Sequence, residues 1–245
     1  MKEWIKKKAV EIGFSLCGIT TTEPVDGLPH LERAIVEGRT AGMDYLARDP
    51  IARCDPRSLM PEARSVICCA TAYRFSRGAD YHAEVRSRLA KLWDSIKVRH
   101  PSARAKLCCD TSPILEKALA QRAGLGWIGK HTVLVNRNLG SWFVLGEIIT
   151  DLEIEPDTPH EDLCGDCSKC IDACPANSIV SPHKLDARKC ISYLTIEAPR
   201  LEIGIRDQGP GTGKGGPDPG SPIPGPEFGC DLCQEACPYN LHNLP

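Results

Sequence analysis

Cys164, Cys167, Cys170 and Cys174, with Pro175 directly after, form a C-x2-C-x2-C-x3-C-P run. This spacing lets tight turns aim three thiolates at one iron–sulfur cube, while the fourth cannot reach that cube and ligates a second one. A partner set is therefore required, and Cys230, Cys233 and Cys237, followed by Pro238, supply it. The spacing predicts two four-iron, four-sulfur clusters in a bacterial-ferredoxin-like arrangement. Cys164, Cys167, Cys170 and Cys237 serve one, and Cys174, Cys230, Cys233 and one further ligand serve the other. Cys190 is the remaining cysteine of this half, and spacing alone gives it no role. C-x2-C pairs also bind zinc, but zinc sites rarely use a triple run closed by Cys-Pro. Two neighbouring redox centres imply electron transfer.

Other chemistry-bearing residues carry weaker signals. Asp110 lies between the end of an apolar strand segment and a helix start at Pro113, where α/β proteins place working side chains, although a solvated turn carboxylate is the plainer reading. His131, at a loop exit after Gly129 and Lys130, reads as a satisfied polar residue more readily than as an acid or ligand. Cys17, Cys54, Cys68, Cys69, Cys108 and Cys109 lie in or beside apolar segments and are expected in the core. Gly124-Leu125-Gly126-Trp127-Ile128-Gly129 matches G-x-G-x-x-G, but a helix precedes it and a strand follows, the reverse of a dinucleotide site, so a tight helix-to-strand turn is expected. Asp80-Tyr81-His82 begins like a D-x-H-x-x-G cobalamin-ligand motif, but Val85 stands in the glycine position and the match is discounted.

The elements that must hold these residues alternate. Trp4, Ile5, Ala9 and Ile12 share a helix face that Gly13 can close, and Phe14 to Ile19 reads as a strand. Val66 to Ala72 is a second strand, a helix with Val85, Leu89, Leu92 and Ile96 on one face follows, and Lys106 to Cys109 is a third strand. Ser112 as N-cap, Pro113 at the first helical position and Gly124 past the end define another helix, with Leu115, Ala118 and Leu119 inward. Val133 to Val135 and Phe143 to Ile149 complete the strands. After Asp151 the pattern breaks into short pieces between cysteines, as where metal ligation replaces part of a core. From Asp207 to Pro226, 13 of 20 residues are Gly or Pro, which reads as a mobile inserted loop.

Residues 1 to 150 carry 23 Lys and Arg against 16 Asp and Glu, and the rest of the 245 carry 7 against 16. The basic half could approach an anion that the acidic half repels. Met1 to Gly18 lacks a signal-peptide pattern and no apolar run reaches 18 residues, so a soluble chain in a reducing cytoplasm is expected despite its 14 cysteines.

Three blocks can be read together: Asp110-Thr111-Ser112-Pro113, the stretch Arg122 to Thr132, and Leu185 to Glu197. With Arg53-Cys54-Asp55-Pro56-Arg57 and Phe228-Gly229-Cys230-Asp231, they resemble the epoxyqueuosine reductase family over most of the chain. The resemblance implies an α/β fold with a nitroreductase-like cobalamin-binding domain over 1–154. A ferredoxin-like double-cluster domain would follow over 155–245, with the loop 207–226 inside it. It makes Cys190 the eighth cluster ligand and implies reduction of epoxyqueuosine to queuosine in tRNA. Low-valent cobalt of cobalamin would attack the epoxide, the clusters would feed it electrons, and Asp110, partly buried, would be the general acid. Arg53, Asp110, Leu134, Leu145, Ile148 and Ser192 would contact cobalamin. The tRNA would lie on the basic half, and an unidentified donor would reduce a monomer. Family members continue past the second cysteine set into helical repeats that grip tRNA, whereas this chain stops eight residues after Cys237, so a shortened reductase is expected. A corrinoid reductase of a small molecule and a non-catalytic electron carrier are the alternatives.

Overall fold

The computed structural model describes residues 1–72, 81–198 and 230–240. Helix α1 (Lys2–Ile12) buries Ile5 and Ala9, four residues apart on one face. Gly13, at φ 109°, ends it by turning its N–H back to the Ala9 and Val10 carbonyls. Strand β1 (Leu16–Thr21) starts two residues later than the apolar run suggests, because Phe14 is packed into the core ahead of the ladder. Two helices that the periodicity did not reveal, α2 (Leu28–Val36) and α3 (Pro50–Cys54), lead to β2 (Ser65–Ala72). Next come α4 (Tyr81–Arg99), β3 (Ala105–Cys108), α5 (Glu116–Arg122), the short pair β4 (Trp127–Ile128) and β5 (Leu134–Val135), and β6 (Phe143–Thr150).

Four strands form one sheet in the order β1-β2-β6-β3, and each neighbouring pair is antiparallel. The fold is mixed α/β, but its interleaved helices do not build parallel crossovers. Alternation along the strands divides the core. Val66, Cys68, Ala70 and Ile149 pack with Leu119 and Ala120 of α5, while Ile67, Cys69 and Ile148 pack with α1 and the buried Val85, Leu89, Leu92 and Ile96 of α4. All six cysteines expected in the core are there, Cys17 being only half-buried.

The helix expected to begin at Ser112 and Pro113 begins instead at Glu116. Tertiary partners claim the intervening residues. Ser112 accepts the Ile114 N–H through its carbonyl, and the Leu115 N–H is taken by the Arg53 carbonyl at 3.1 Å. A glycine turn follows α5 as expected. Gly124 has φ 78°, and a Cβ on Gly126 would stand 2.1 Å from the Val135 carbonyl oxygen, so the β4–β5 pair can close only over glycine.

The cysteine-rich half has short elements only: α6 (Lys169–Asp172), β7 (Ile179–Ser181), β8 (Lys184–Leu185), a π-helical turn over Tyr193–Glu197 and α7 (Leu232–Glu235). Several contacts fasten it to the sheet half. Lys130 Nζ donates to the Gly165 and Cys167 carbonyls at 2.6 and 2.9 Å. The Ala187 N–H donates to the Arg39 carbonyl at 2.9 Å, and the Gly42 N–H donates to the Tyr193 hydroxyl at 2.9 Å. Asn240, fully buried, accepts the Ser141 N–H at 2.7 Å and donates to the Ser141 hydroxyl and the Gln234 carbonyl. The loop expected at 207–226 lies outside the described residues. Among those described, no helix is long and apolar enough to cross a membrane.

Candidate functional site

Asp110 follows β3 and occupies the left-handed region at φ 56°, which a non-glycine residue holds only when its surroundings impose it. Three contacts do so. Its N–H donates to Glu116 Oε1 at 2.7 Å, its Oδ2 lies 2.8 Å from His82 Nε2 at the start of α4, and Arg86 holds the adjacent Thr111 hydroxyl. The side chain is half exposed, 50% against 26% for His82. Asp110 is thus only half buried, and deeper burial is found in its neighbours. Burial lifts Glu116 to about 7 and pushes the Cys109 thiol up to about 12, which leaves Cys109 inert as a nucleophile.

His82 belongs to the segment discounted in the sequence. Asp80 lies outside the described residues, but His82 faces the acid, a pairing across 28 positions that no local pattern encodes. His131 is buried, with Nδ1 accepting the Val133 N–H, and burial holds it down to about 4. It is a neutral residue here, and its Nε2 is buried with no partner among the described residues.

The residues expected around cobalamin divide. Arg53 lies over the Tyr45 ring at 5.7 Å and donates from Nη2 to the Tyr45 carbonyl, and the Tyr45 hydroxyl reaches Glu197 in the turn that Ser192 precedes. Arg53 and Ser192 are therefore brought to one side, and the Arg53–Leu115 backbone bond ties that side to the Asp110 turn. Arg53 Nε is buried with no acceptor among the described residues. Leu145 is half-buried on the α5 face, and Leu134 is buried beside it in the same cluster. Ile148 is a correction: three residues beyond Leu145, it points through the opposite face and is wholly enclosed by the α1 and α4 side chains.

The thiols of the cysteine-rich half act on one another. Burial raises Cys170, and the thiols that add to the rise are Cys164, Cys237 and Cys167. Burial likewise pushes Cys233 up to about 12, with Cys190, Cys230, Cys174 and then Cys170 adding to it. Cys170 thus lies near the thiols of Cys164, Cys167 and Cys237, and Cys233 near those of Cys190, Cys230, Cys174 and Cys170. A cationic iron–sulfur core, which binds thiolates, would relieve the rise at both. The thiols also carry donors: Trp127 Nε1–H reaches Cys164 Sγ at 3.3 Å, and the Ser178 N–H reaches Cys174 Sγ at 3.3 Å with its hydroxyl at 2.9 Å. Burial acts to raise Cys174, but these hydrogen bonds outweigh it and its thiol is lowered.

A double-cluster unit docked against a helix-covered sheet, with a carboxyl held at the sheet's edge, defines an iron–sulfur oxidoreductase. Residues 163–213 match the family model for a 4Fe-4S double cluster binding domain, and residues 53–111 match the one described as "Epoxyqueuosine reductase QueG, DUF1730". Cys230, Cys233 and Cys237 fall beyond the first match and join the site through the fold. An epoxyqueuosine reductase of Xanthomonas campestris is 39% identical over 96% of this chain and 69% of its own length, and that of Leadbetterella byssophila is 37% identical over 98% and 80%. The chain belongs to the epoxyqueuosine reductase family.

Among solved structures, an epoxyqueuosine reductase with an epoxyqueuosine-modified tRNA-Tyr stem loop matches at 32% identity and TM-score 0.80. The Streptococcus thermophilus enzyme matches at 31% and 0.80. The chain covers 65% and 66% of those two proteins, about two thirds of their length. A Bacillus subtilis relative, 31% identical with TM-score 0.78, has been solved with its catalytic aspartate loop swung out of the active site. A reductive dehalogenase at 20% identity and TM-score 0.51 shares the fold alone.

Proposed function

We propose that this chain reduces epoxyqueuosine to queuosine in tRNA, using cobalamin and two four-iron, four-sulfur clusters, with Asp110 as proton donor. The observation that carries this reading is Asp110 itself, held in a left-handed turn at the edge of the sheet with a histidine on its carboxyl. The epoxyqueuosine-tRNA stem loop bound by a relative of the same fold supports the substrate. Domains over 1–154 and 155–245 remain the division we favour.

The buried Arg53 Nε–H, which meets no acceptor among the described residues, and the half-buried Leu145 fit a cofactor that presents both amide oxygens and an apolar ring. When bound, cobalamin would supply a low-valent cobalt nucleophile toward the epoxide carbon, with electrons arriving singly through the clusters. Arg53 would hold a peripheral amide oxygen, Ser192 would approach from the cluster side, and Leu134 would back Leu145. Cys164, Cys167, Cys170 and Cys237 would hold one cluster, and Cys174, Cys190, Cys230 and Cys233 the other. Ring opening leaves charge on the epoxide oxygen, and Asp110 would protonate it. His82, 2.8 Å away, can share that proton and return one to Asp110. The conversion consumes two electrons and two protons and releases water, leaving the alkene. The basic residues of the first half would engage the phosphate backbone, with the modified base displaced from its stack.

The visible spectrum and metal content after anaerobic reconstitution test the cofactor assignment. About eight irons and one corrin per chain are expected. Eight irons without corrin would leave a simple electron carrier, and corrin binding without affinity for tRNA would favour a small-molecule reductase.

A further inference from the structure

Behind the Asp110 turn lies a carboxyl pair that neither the clusters nor the proposed chemistry uses. Glu147 projects from β6, with Cys68 of β2 and Cys108 of β3 opposite it in the ladder, and it is wholly buried. Among the described residues no N–H or hydroxyl meets either of its carboxyl oxygens. The group within reach is the carboxyl of Glu116, at the first position of α5. Two carboxylates are both acceptors, so such a pair holds together only when it shares a proton.

Surroundings decide where that proton sits. Glu116 Oε1 already accepts the Asp110 N–H, which favours its ionised form, whereas Glu147 is wholly enclosed and meets no donor among the described residues. Glu147 is then the donor and Glu116 the acceptor, and burial holds both above the ordinary carboxylate range. The titratable and charged groups facing the pair are Asp110 and Lys117 beside Glu116, Cys108 of β3 and Cys109 just after it, and Cys68 and Cys69 of β2. Arg86 acts on the Cys109 thiol and Arg122 on the Cys68 thiol. Glu116 Oε1, steadied in this way, receives the Asp110 N–H at 2.7 Å.

We propose that Glu116 is a positioning residue that latches the Asp110 turn in its left-handed form, and that protonated Glu147 aims and steadies the latch from within the sheet. Its functional meaning rests on Asp110 being the proton donor, but the latch is a property of the turn. A released turn carries the carboxyl away from the reacting oxygen, so kcat falls while KM for tRNA stays.

Amide hydrogen exchange of the cluster-loaded full chain tests this without substrate. Glu116→Ala should speed exchange over 109–115 by about tenfold or more, the equivalent of one charge-assisted hydrogen bond, and leave β6 unchanged. Glu116→Gln keeps an acceptor and should stay close to wild type, as should Glu147→Gln, which keeps a donor. Glu147→Leu removes the donor and should loosen the same segment, which carries the test if Glu116→Ala does not fold. Unchanged exchange in both Glu116→Ala and Glu147→Leu, or acceleration spread equally through β6, overturns the latch. Full activity in Asp110→Asn would instead remove the acid assignment and leave the latch standing.

Discussion

His82 Nε2 and Asp110 Oδ2 stand 2.8 Å apart, joining the start of α4 to the end of β3 across the mouth of the site. A half-exposed carboxyl is a poor acid unless something nearby keeps it supplied with protons, and His82 is placed to do that. His82→Gln should lower kcat by about tenfold or more while cobalamin and iron content stay unchanged. Steady-state kinetics with matched cofactor loading would check it, and an unaltered kcat would remove His82 from the proton path.

The ligand sets predict a selective loss of iron. Cys190→Ala should reduce iron from about eight to about four per chain, because it removes a ligand of the second cube only. Cys54→Ala, at a buried core position, should leave all eight.

The Trp127 bond to Cys164 Sγ predicts a shift in potential. A donor to a ligand sulfur favours the reduced, more negative cluster. Trp127→Phe should therefore lower the potential of that cluster by about 20 to 60 mV, the equivalent of one neutral hydrogen bond. A redox titration followed by electron paramagnetic resonance measures it.

Asn240 holds the second cysteine segment against Ser141, and Gly140 has φ 66° where a Cβ would stand 1.8 Å from Asn240 Oδ1. Asn240→Ala should destabilise by about 1 to 3 kcal/mol through unpaired buried groups. Because Cys233 and Cys237 are assigned to different sets under the proposed function, both clusters should lose iron faster on dilution, as iron release followed by chelation would record.

The raised Glu116 gives a signed pH dependence. Its folded value of about 7 exceeds the ordinary 4.5, so between those limits the folded state binds more protons than the unfolded state, and stability falls as pH rises. His131, lowered from 6.5 to about 4, acts in the opposite sense, with stability lost as pH falls through that window. Comparing Glu116→Gln with wild type cancels His131. The variant should gain relative stability from about pH 4.5 to about 7 and none above, as urea midpoints across that range would show.

What the sequence disclosed follows what each feature depends on. Cluster ligation is written in local spacing, so seven of the eight proposed ligands come from the two cysteine runs, while Cys190 is proposed only through the family resemblance because it lies outside both runs. Helices α1 and α4 were readable because one apolar stripe sets them. The start of α5 was misread because Ser112 and Pro113 make a good cap locally, whereas Arg53 and Glu116 take the backbone groups of the preceding turn. Ile148 was placed with Leu145 by nearness in sequence, although three positions along a strand reverse the face. Glu147 left one usable sign, a lone carboxylate inside the apolar run Phe143 to Ile149.

The central claim is tested most directly by queuosine formation. The anaerobically reconstituted chain, with clusters and cobalamin both bound, is incubated with a reductant and epoxyqueuosine-containing tRNA, and the digested nucleosides are quantified. The account predicts queuosine from the wild type and a loss of about a hundredfold or more in Asp110→Asn. No queuosine from fully loaded wild-type protein, or equal yields from the two, would contradict it.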